Sequence, residues 1–349
     1  MSTIILTGGG TGGHIMPNLA LLPELRKHFS KICYIGSVGG MEKDILAKFK
    51  DVEYYEIPAS KLVRKLTLKN LLLPFKVLKS ICEAKKLIRQ INPDVIFCKG
   101  GFVSVPVAVA GKKCKIPVIS HESDISMGLA NKIILHYAKA CCVSFENTLD
   151  VSKKCIYTGS PIRPEIFDGK KNYGEVLKLD KTKKTVMFFG GSLGAKQINE
   201  LVVNNLDKLL KKYNVIHIVG KNGDDSIKKP NYVAMKFCGH IQDLFACSDL
   251  IVCRSGANSI FELLALKKNM LLIPLSKAES RGDQIENANY FKARGWANVL
   301  LSEDATNENF MAAIDSTMAH QEKRAQCFNG LTTNKANEKI VGIILKYCK

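Results

Sequence analysis

Short apolar runs rich in β-branched residues recur along the chain, and each is followed by a stretch of helical periodicity. The first half carries TIILT (3–7), KICYIG (31–36), DVIFCK (94–99), PVISH (117–121) and ACCVSF (140–145). The second half carries TVMFFGG (185–191), NVIHIVG (214–220), DLIVCR (249–254) and MLLIPL (270–275). Unbroken runs, rather than apolar–polar alternation, predict strands buried on both faces, as in parallel sheets. The intervening stretches are long enough for crossover helices, so the pattern predicts an α/β fold.

The pattern also repeats. IILTGGGTGGHIMPNLALLPEL (4–25) and VMFFGGSLGAKQINELVVNNL (186–206) both read as strand, glycine turn and amphipathic helix. Periodicity lapses in GSPIRPEIFDGKKNYG (159–174), which holds two prolines. The chain therefore reads as two Rossmann-like domains, residues 1–163 and residues 164–349, with the last helix a candidate to return to the first domain. Ligands in such sheets bind outside the carboxyl ends of the strands. The crevice between two such domains is the expected site.

Length agrees: 349 residues make about two domains of roughly 150 each. Charge adds a partner. Lys and Arg number 51 against 32 Asp and Glu, a net charge of +19, which calls for an anionic ligand, nucleic acid or membrane surface. Aromatics are only 7%, and no recognition-helix or zinc-finger spacing occurs, which argues against nucleic acid. The twelve cysteines form no Cys-x-x-Cys pair and several lie in apolar runs, as buried reduced thiols do. The start, MSTIILTGG, has no basic region before a short apolar stretch, unlike a signal peptide. No run approaches the roughly 18 apolar residues of a spanning helix.

Gly8, Gly10 and Gly13 fit G-x-G-x-x-G between a strand and a helix. A dinucleotide site would want an acid ending the second strand, but that strand ends YIGSVGG, and GGSLGA (190–195) does not fit the fingerprint. The glycines instead let an anion approach bare backbone at a helix N-terminus. His14 is read as the first helical residue after the turn, aimed into the crevice. A helix N-terminus disfavours imidazolium, which leaves a neutral ring able to accept a proton.

Other segments add chemistry. His121 and Glu122 follow a strand, but position 125 is Ile, so the zinc motif H-E-x-x-H fails. No D-x-D occurs, so neither a catalytic metal nor a cofactor is expected. In VCRSGANSIFELLAL (252–266), Ser255 or Asn258 can cap a helix. Glu262, in its early turns, is either a surface carboxylate or one that accepts both hydroxyls of a ribose. Gly282, Asp283 and Gln284 read as a ligand loop that begins another helix. Residues 61–90 hold one acid, Glu83. There Leu66, Leu68, Leu71, Leu72, Leu73, Phe75, Val77, Leu78 and Ile81 interleave with Lys61, Arg64, Lys65, Lys69, Lys76 and Lys79. Such a stretch reads as a peripheral anchor on an anionic bilayer.

GGGTGGH, HESDISMGLANK, GGSLGA, CRSGANSIFE and RGDQIENA occur in this order across nearly the whole chain. The set resembles the MurG family of peptidoglycan N-acetylglucosaminyltransferases. The resemblance implies a GT-B fold, two Rossmann-like domains whose parallel sheets face a central cleft. It implies inverting, metal-independent transfer from UDP-GlcNAc to the 4-hydroxyl of the muramyl sugar of undecaprenyl-pyrophosphoryl-MurNAc-pentapeptide, at the cytoplasmic face of a bacterial membrane.

Residue by residue, Thr11, Gly12 and Gly13 match the family's first loop at sugar and phosphates. Arg163 matches a linker arginine and Ser192 the second-loop serine. Ile241 matches the residue whose backbone meets uracil. Ala257, Asn258, Ser259, Ile260, Phe261 and Glu262 match the ribose and phosphate helix, and Gln284 the glutamine on the GlcNAc hydroxyls. His14 is the expected base, and Glu122 either assists at the acceptor or orients His14. Many members carry Asn where this chain has Asp124. Two rivals are a glycolipid synthase of the same fold, against which HESDISMGLANK argues, and a silent nucleotide-sugar-binding regulator, against which His14, Glu262 and Gln284 argue.

Overall fold

The computed structural model describes residues 2–59, 73–191, 193–331 and 335–348. Ser192 and the first part of the basic apolar stretch, from Lys61 to Leu72, lie outside the described residues. Two compact units emerge, Met1–Arg163 with Asn334–Lys349, and Pro164–Thr333.

The first unit is built on seven parallel strands: β1 (Thr3–Thr7), β2 (Lys31–Ser37), β3 (Val52–Ile57), β4 (Val95–Cys98), β5 (Val118–Glu122), β6 (Ala140–Val143) and β7 (Cys155–Tyr157). Their order is β3-β2-β1-β4-β5-β6-β7. Strand β1 is buried on both faces. Ile4 and Leu6 join one core with Leu19, Leu22 and Leu25, and Ile5 joins the other with Val107 and Ala108. That two-sided burial is why the strand reads as an unbroken apolar run. The helix Ala336–Lys346 closes the first of these cores through Ile340, Val341 and Ile344. Asn337 pins it: its amide donates to Ala20 O (2.9 Å) and Ile162 O (2.8 Å), and its oxygen accepts from Ile162 N (3.0 Å). The second unit thus ends at residue 333 rather than 349.

The second unit repeats the plan with six parallel strands: β8 (Lys184–Phe189), β9 (Tyr213–Ile218), β10 (Tyr232–Met235), β11 (Leu250–Cys253), β12 (Asn269–Leu272) and β13 (Asn298–Val299), ordered β10-β9-β8-β11-β12-β13. In both sheets the chain reverses its direction of growth between two central strands, β1 and β4 in one, β8 and β11 in the other. The carboxyl ends at such a switch point are where open α/β sheets hold ligands. None of the twelve cysteines is in a disulfide.

Candidate active site

At the switch point of the first sheet, β1 runs into Gly8–Gly9–Gly10 and then the helix Gly12–Leu25. A side chain at Gly8 would meet His14 O at 2.5 Å, and one at Gly9 would meet the Glu42 carboxylate at 2.7 Å. Gly10 sits at φ +85° under the Phe102 ring. Gly12 is different. Its missing side chain would meet nothing within 4 Å, and its φ needs no glycine. A helical glycine costs up to about 1 kcal/mol relative to alanine. No steric contact or positive φ in this unit asks for glycine at Gly12, so its backbone is left bare at the helix start.

His14 is the third residue of that helix, not the first as its sequence position implied. Thr11, the N-cap, makes no side-chain bond to the helix end. Its hydroxyl instead pairs with His14 Nδ1 at 3.0 Å. The imidazole is half-buried.

Beside this loop, β4 ends in Lys99, Gly100 and Gly101. Lys99 is only 2% exposed, and its Nζ donates to Ser123 Oγ at 2.7 Å. Burial pulls its pKa down, and the nearby charges of Glu122 and Asp124 oppose that pull. Glu122, at the end of β5, accepts from Asp124 N (3.0 Å), Gly128 N (2.9 Å) and Asn131 Nδ2 (2.9 Å). Its carboxylate thus shapes the 123–128 segment. His121 is fully buried, with Nε2 against Gly159 O at 3.2 Å. Burial first, and Lys99 second, hold its pKa well below the ordinary value.

The second switch point places the glycine turn after β8 against the turn after β9. Gly191 (φ +99°), Gly194 (φ +88°) and Gly220 (φ +80°) all take left-handed backbone, and a side chain on Gly194 would collide with Val219 O. After β11 come Arg254, Ser255 and Gly256, then the helix Ala257–Ala265. Gly256 is its N-cap, so neither Ser255 nor Asn258 caps it. Ser255 Oγ donates to Gln284 O at 2.7 Å, and Asn287 Nδ2 donates to Ser255 O at 3.2 Å. These tertiary partners claim the serine that local pattern assigned to a cap. A side chain on Gly256 would meet nothing within 4 Å, so glycine there leaves the helix end open to an anion.

Ala257, Ile260 and Phe261 face the core, whereas Asn258, Ser259 and Glu262 share the half-exposed face one turn apart. Gln284 is the second residue of the helix Asp283–Ala293. Its Oε1 accepts from Leu275 N at 3.2 Å, a bond that does not use its NH₂. Ile241 opens the helix Ile241–Ala246, and Arg163 is half-buried at the end of the first unit's main segment. Each unit therefore gathers its own candidates: Thr11, Gly12, Gly13, His14 and Glu122 in one, Ile241, the 257–262 helix and Gln284 in the other.

Two buried cations that close strands β4 and β11 escaped the sequence reading. Lys99 is one. Arg254 is the other, 8% exposed, with Nη1 donating to Ile273 O (3.1 Å), Pro274 O (3.2 Å), Ser302 Oγ (3.0 Å) and Gln197 Oε1 (3.2 Å). Burial lowers its pKa. Both follow an apolar run ending in cysteine, VIFCK and LIVCR, and a cation closing a buried strand is a readable signal. A cavity of about 440 Å³ in the second unit, lined by Phe167, Lys171, Lys268 and Asn269 among others, lies at the amino ends of β11 and β12, away from these loops.

Comparison with known proteins also finds two domains. Residues 4–143 match the glycosyltransferase family 28 N-terminal domain, and residues 185–340 match its C-terminal domain. A Clostridium botulinum (strain Alaska E43 / Type E3) protein named UDP-N-acetylglucosamine--N-acetylmuramyl-(pentapeptide) pyrophosphoryl-undecaprenol N-acetylglucosamine transferase is 45% identical over 352 residues, covering 99% of this chain and 98% of its own. The protein of the same name from Clostridium novyi (strain NT) is 45% identical over 353 residues, covering 99% of each. The crystal structure of Acinetobacter baumannii MurG superposes with a TM-score of 0.78 at 25% identity, covering 99% of this chain and all of that one.

Proposed function

The chain belongs to glycosyltransferase family 28, and from that premise we propose that it transfers N-acetylglucosamine from UDP-GlcNAc to the muramyl 4-hydroxyl of undecaprenyl-pyrophosphoryl-MurNAc-pentapeptide. The observation that carries this reading is the end-to-end identity. It runs through both units, and the names of those relatives specify donor and acceptor together.

The acceptor belongs to the first unit. Its 4-hydroxyl attacks the anomeric carbon while the bond from that carbon to the UDP oxygen breaks on the opposite face, which inverts the configuration. The hydroxyl proton passes to His14 Nε2, and the UDP oxygen keeps the electron pair. That direction requires Nδ1–H to donate to Thr11 Oγ1, so that Nε2 carries the lone pair. The threonine thus selects the productive tautomer. A base of this kind contributes about 10²–10⁴-fold. Glu122 acts by holding the acceptor segment in shape. No step is assigned to a metal.

The donor belongs to the second unit. Glu262 accepts the ribose hydroxyls, the open end of the 257–265 helix faces the diphosphate, and the Ile241 backbone meets uracil. The Gln284 amide donates to the GlcNAc hydroxyls, with Arg163 and Ser192 completing the set. Charge developing on UDP is met by these fixed dipoles.

The acceptor's lipid keeps it in a membrane, so the enzyme works peripherally on the cytoplasmic leaflet, through residues 61–90. Among the described residues no helix is long and apolar enough to cross a membrane. The helix Leu73–Ile91 exposes Phe75 (70%) and Leu78 (56%) beside Lys76 and Lys79. Apolar insertion flanked by lysines binds anionic lipid at about 1 kcal/mol per lysine.

The decisive experiment measures UDP release from UDP-GlcNAc with the lipid-linked muramyl acceptor, with diacylglycerol, and with neither. Release only with the muramyl lipid, together with the disaccharide product, is the expected result. Release with diacylglycerol alone, or with no acceptor at all, would overturn the reading.

A further inference from the structure

Residues 99–101 form a junction inside the first unit. Lys99 N donates to Thr7 O at 2.8 Å, and a side chain on Gly8 would touch Lys99 Cβ at 3.2 Å. Gly100, at φ +93°, lies against the Asn131 amide. Gly101, at φ +79°, lies against Gly9 O and 3.3 Å from His14 Nδ1, measured from where its Cβ would be. One short turn thus touches the first glycine loop, the His14 ring and the helix Leu129–Tyr137 that follows the acceptor segment. At its root sits an ammonium group sealed from water.

A buried ammonium persists only with compensation. Here the main compensation comes from one stretch of chain. Ser123 accepts its hydrogen bond, and Glu122 and Asp124 face it with negative charge. All three belong to the end of β5 and the segment after it. That segment has little regular structure of its own between β5 and Leu129, so the charge beneath it and the Glu122 bonds define its shape.

We propose that Lys99 is a positioning residue for the acceptor: its buried ammonium, bonded to Ser123 and balanced by Glu122 and Asp124, locks the 123–128 segment beside the His14 loop. Lys99 itself touches no substrate, being sealed at 2% exposure. The claim rests on the acceptor reading above for its catalytic consequence, but the buried Lys99–Ser123 bond stands on the geometry alone.

The test is a double-mutant cycle of K99M and D124N, read by thermal melting, by UDP binding calorimetry and by separate KM values for donor and acceptor. K99M should raise the acceptor KM at least tenfold, with donor KM and UDP affinity within twofold of the parent. Adding D124N should recover at least half of the lost melting temperature, because one of the charges that faced the lost ammonium is removed with it. Additive melting losses, an unchanged acceptor KM, or a donor KM that rises equally would overturn the proposal. If K99M does not fold, the double variant decides: folding with parental UDP affinity supports the balance, and failure to fold overturns it. Absence of transfer by the parent enzyme would sink the functional reading, while the melting cycle would still judge the charge pairing.

Discussion

The two switch points use one backbone device for different ends. In each sheet, a strand runs through glycines into a helix, and the neighbouring strand ends in cysteine followed by a buried cation, Lys99 in one unit and Arg254 in the other. The surroundings of those cations differ. Arg254 Nη1 donates to two backbone carbonyls, a serine and a glutamine, which fixes the floor beneath the Gln284 loop with neutral acceptors. Lys99 leans on one hydroxyl and two carboxylates. The glycine turns differ too. The turn after β8 needs Gly194 and Gly220 because two backbones touch. The turn after β1 leads to Thr11 and His14, a side-chain pair that can move a proton. On the proposed reading, one half holds a nucleotide and the other activates a hydroxyl. A duplicated scaffold keeps its geometry while the residues at two or three positions decide the chemistry.

Replacing His14 by Ala should break the asymmetry most sharply. In steady-state assays kcat should fall by about 10²–10⁴-fold. UDP affinity by calorimetry should be untouched, because the proposed nucleotide site is on the other unit. A near-parental kcat would make the histidine structural and move the proton-transfer role to Glu122.

Acid should act on both units. In the second, His217 is a neutral link in a closed chain. Its Nδ1 lies 3.0 Å from Tyr232 Oη, and its Nε2 lies 3.0 Å from Asn199 Oδ1. Because Asn199 Nδ2 donates to Val219 O, Asn199 Oδ1 must accept from Nε2–H, and Tyr232 O–H donates to Nδ1. Burial lowers the His217 pKa to about 4, against about 6.5 unfolded. Between those values the unfolded chain binds more protons, so stability rises with pH. The contribution is complete above pH 6.5 and is lost as pH falls towards 4, by about 3 kcal/mol. His121 adds a loss of the same sign. Urea unfolding at pH 7 and pH 4.5 should show the loss, and the slope should shrink in His217→Gln. A flat profile would contradict the buried neutral ring.

Glu262→Ala should cost the donor half about 1.5–3 kcal/mol of ribose binding, seen as a higher donor KM with the acceptor KM unmoved. An unchanged donor KM would remove Glu262 from the site.

The smallest effect sharpens the glycine argument. Gly12→Ala should leave thermal stability unchanged or raise it by about 0.5–1 kcal/mol, since nothing crowds that position and alanine favours helix. The acceptor KM should rise nonetheless. Gly194→Ala is the opposite case and should destabilise the fold through backbone strain and collision. If Gly12→Ala alters neither KM nor kcat, no ligand approaches that backbone.

The sequence by itself determined the nine strands buried on both faces, and all nine form. The four it did not reveal, β3, β7, β10 and β13, are the four sheet edges. There one side is partly exposed, and short segments such as VEYYEI, with mixed burial, lack the unbroken apolar signature. The glycine turns and the helix after each were legible because they are local, set by residues within a few positions. Tertiary structure alone decided the partners of Lys99, Arg254 and Ser255 and the docking of the last helix on the first unit through Asn337. A buried cation or a capping hydroxyl takes whichever acceptor the packed chain brings within about 3 Å, and that neighbour lies from about 20 to more than 300 residues away in sequence.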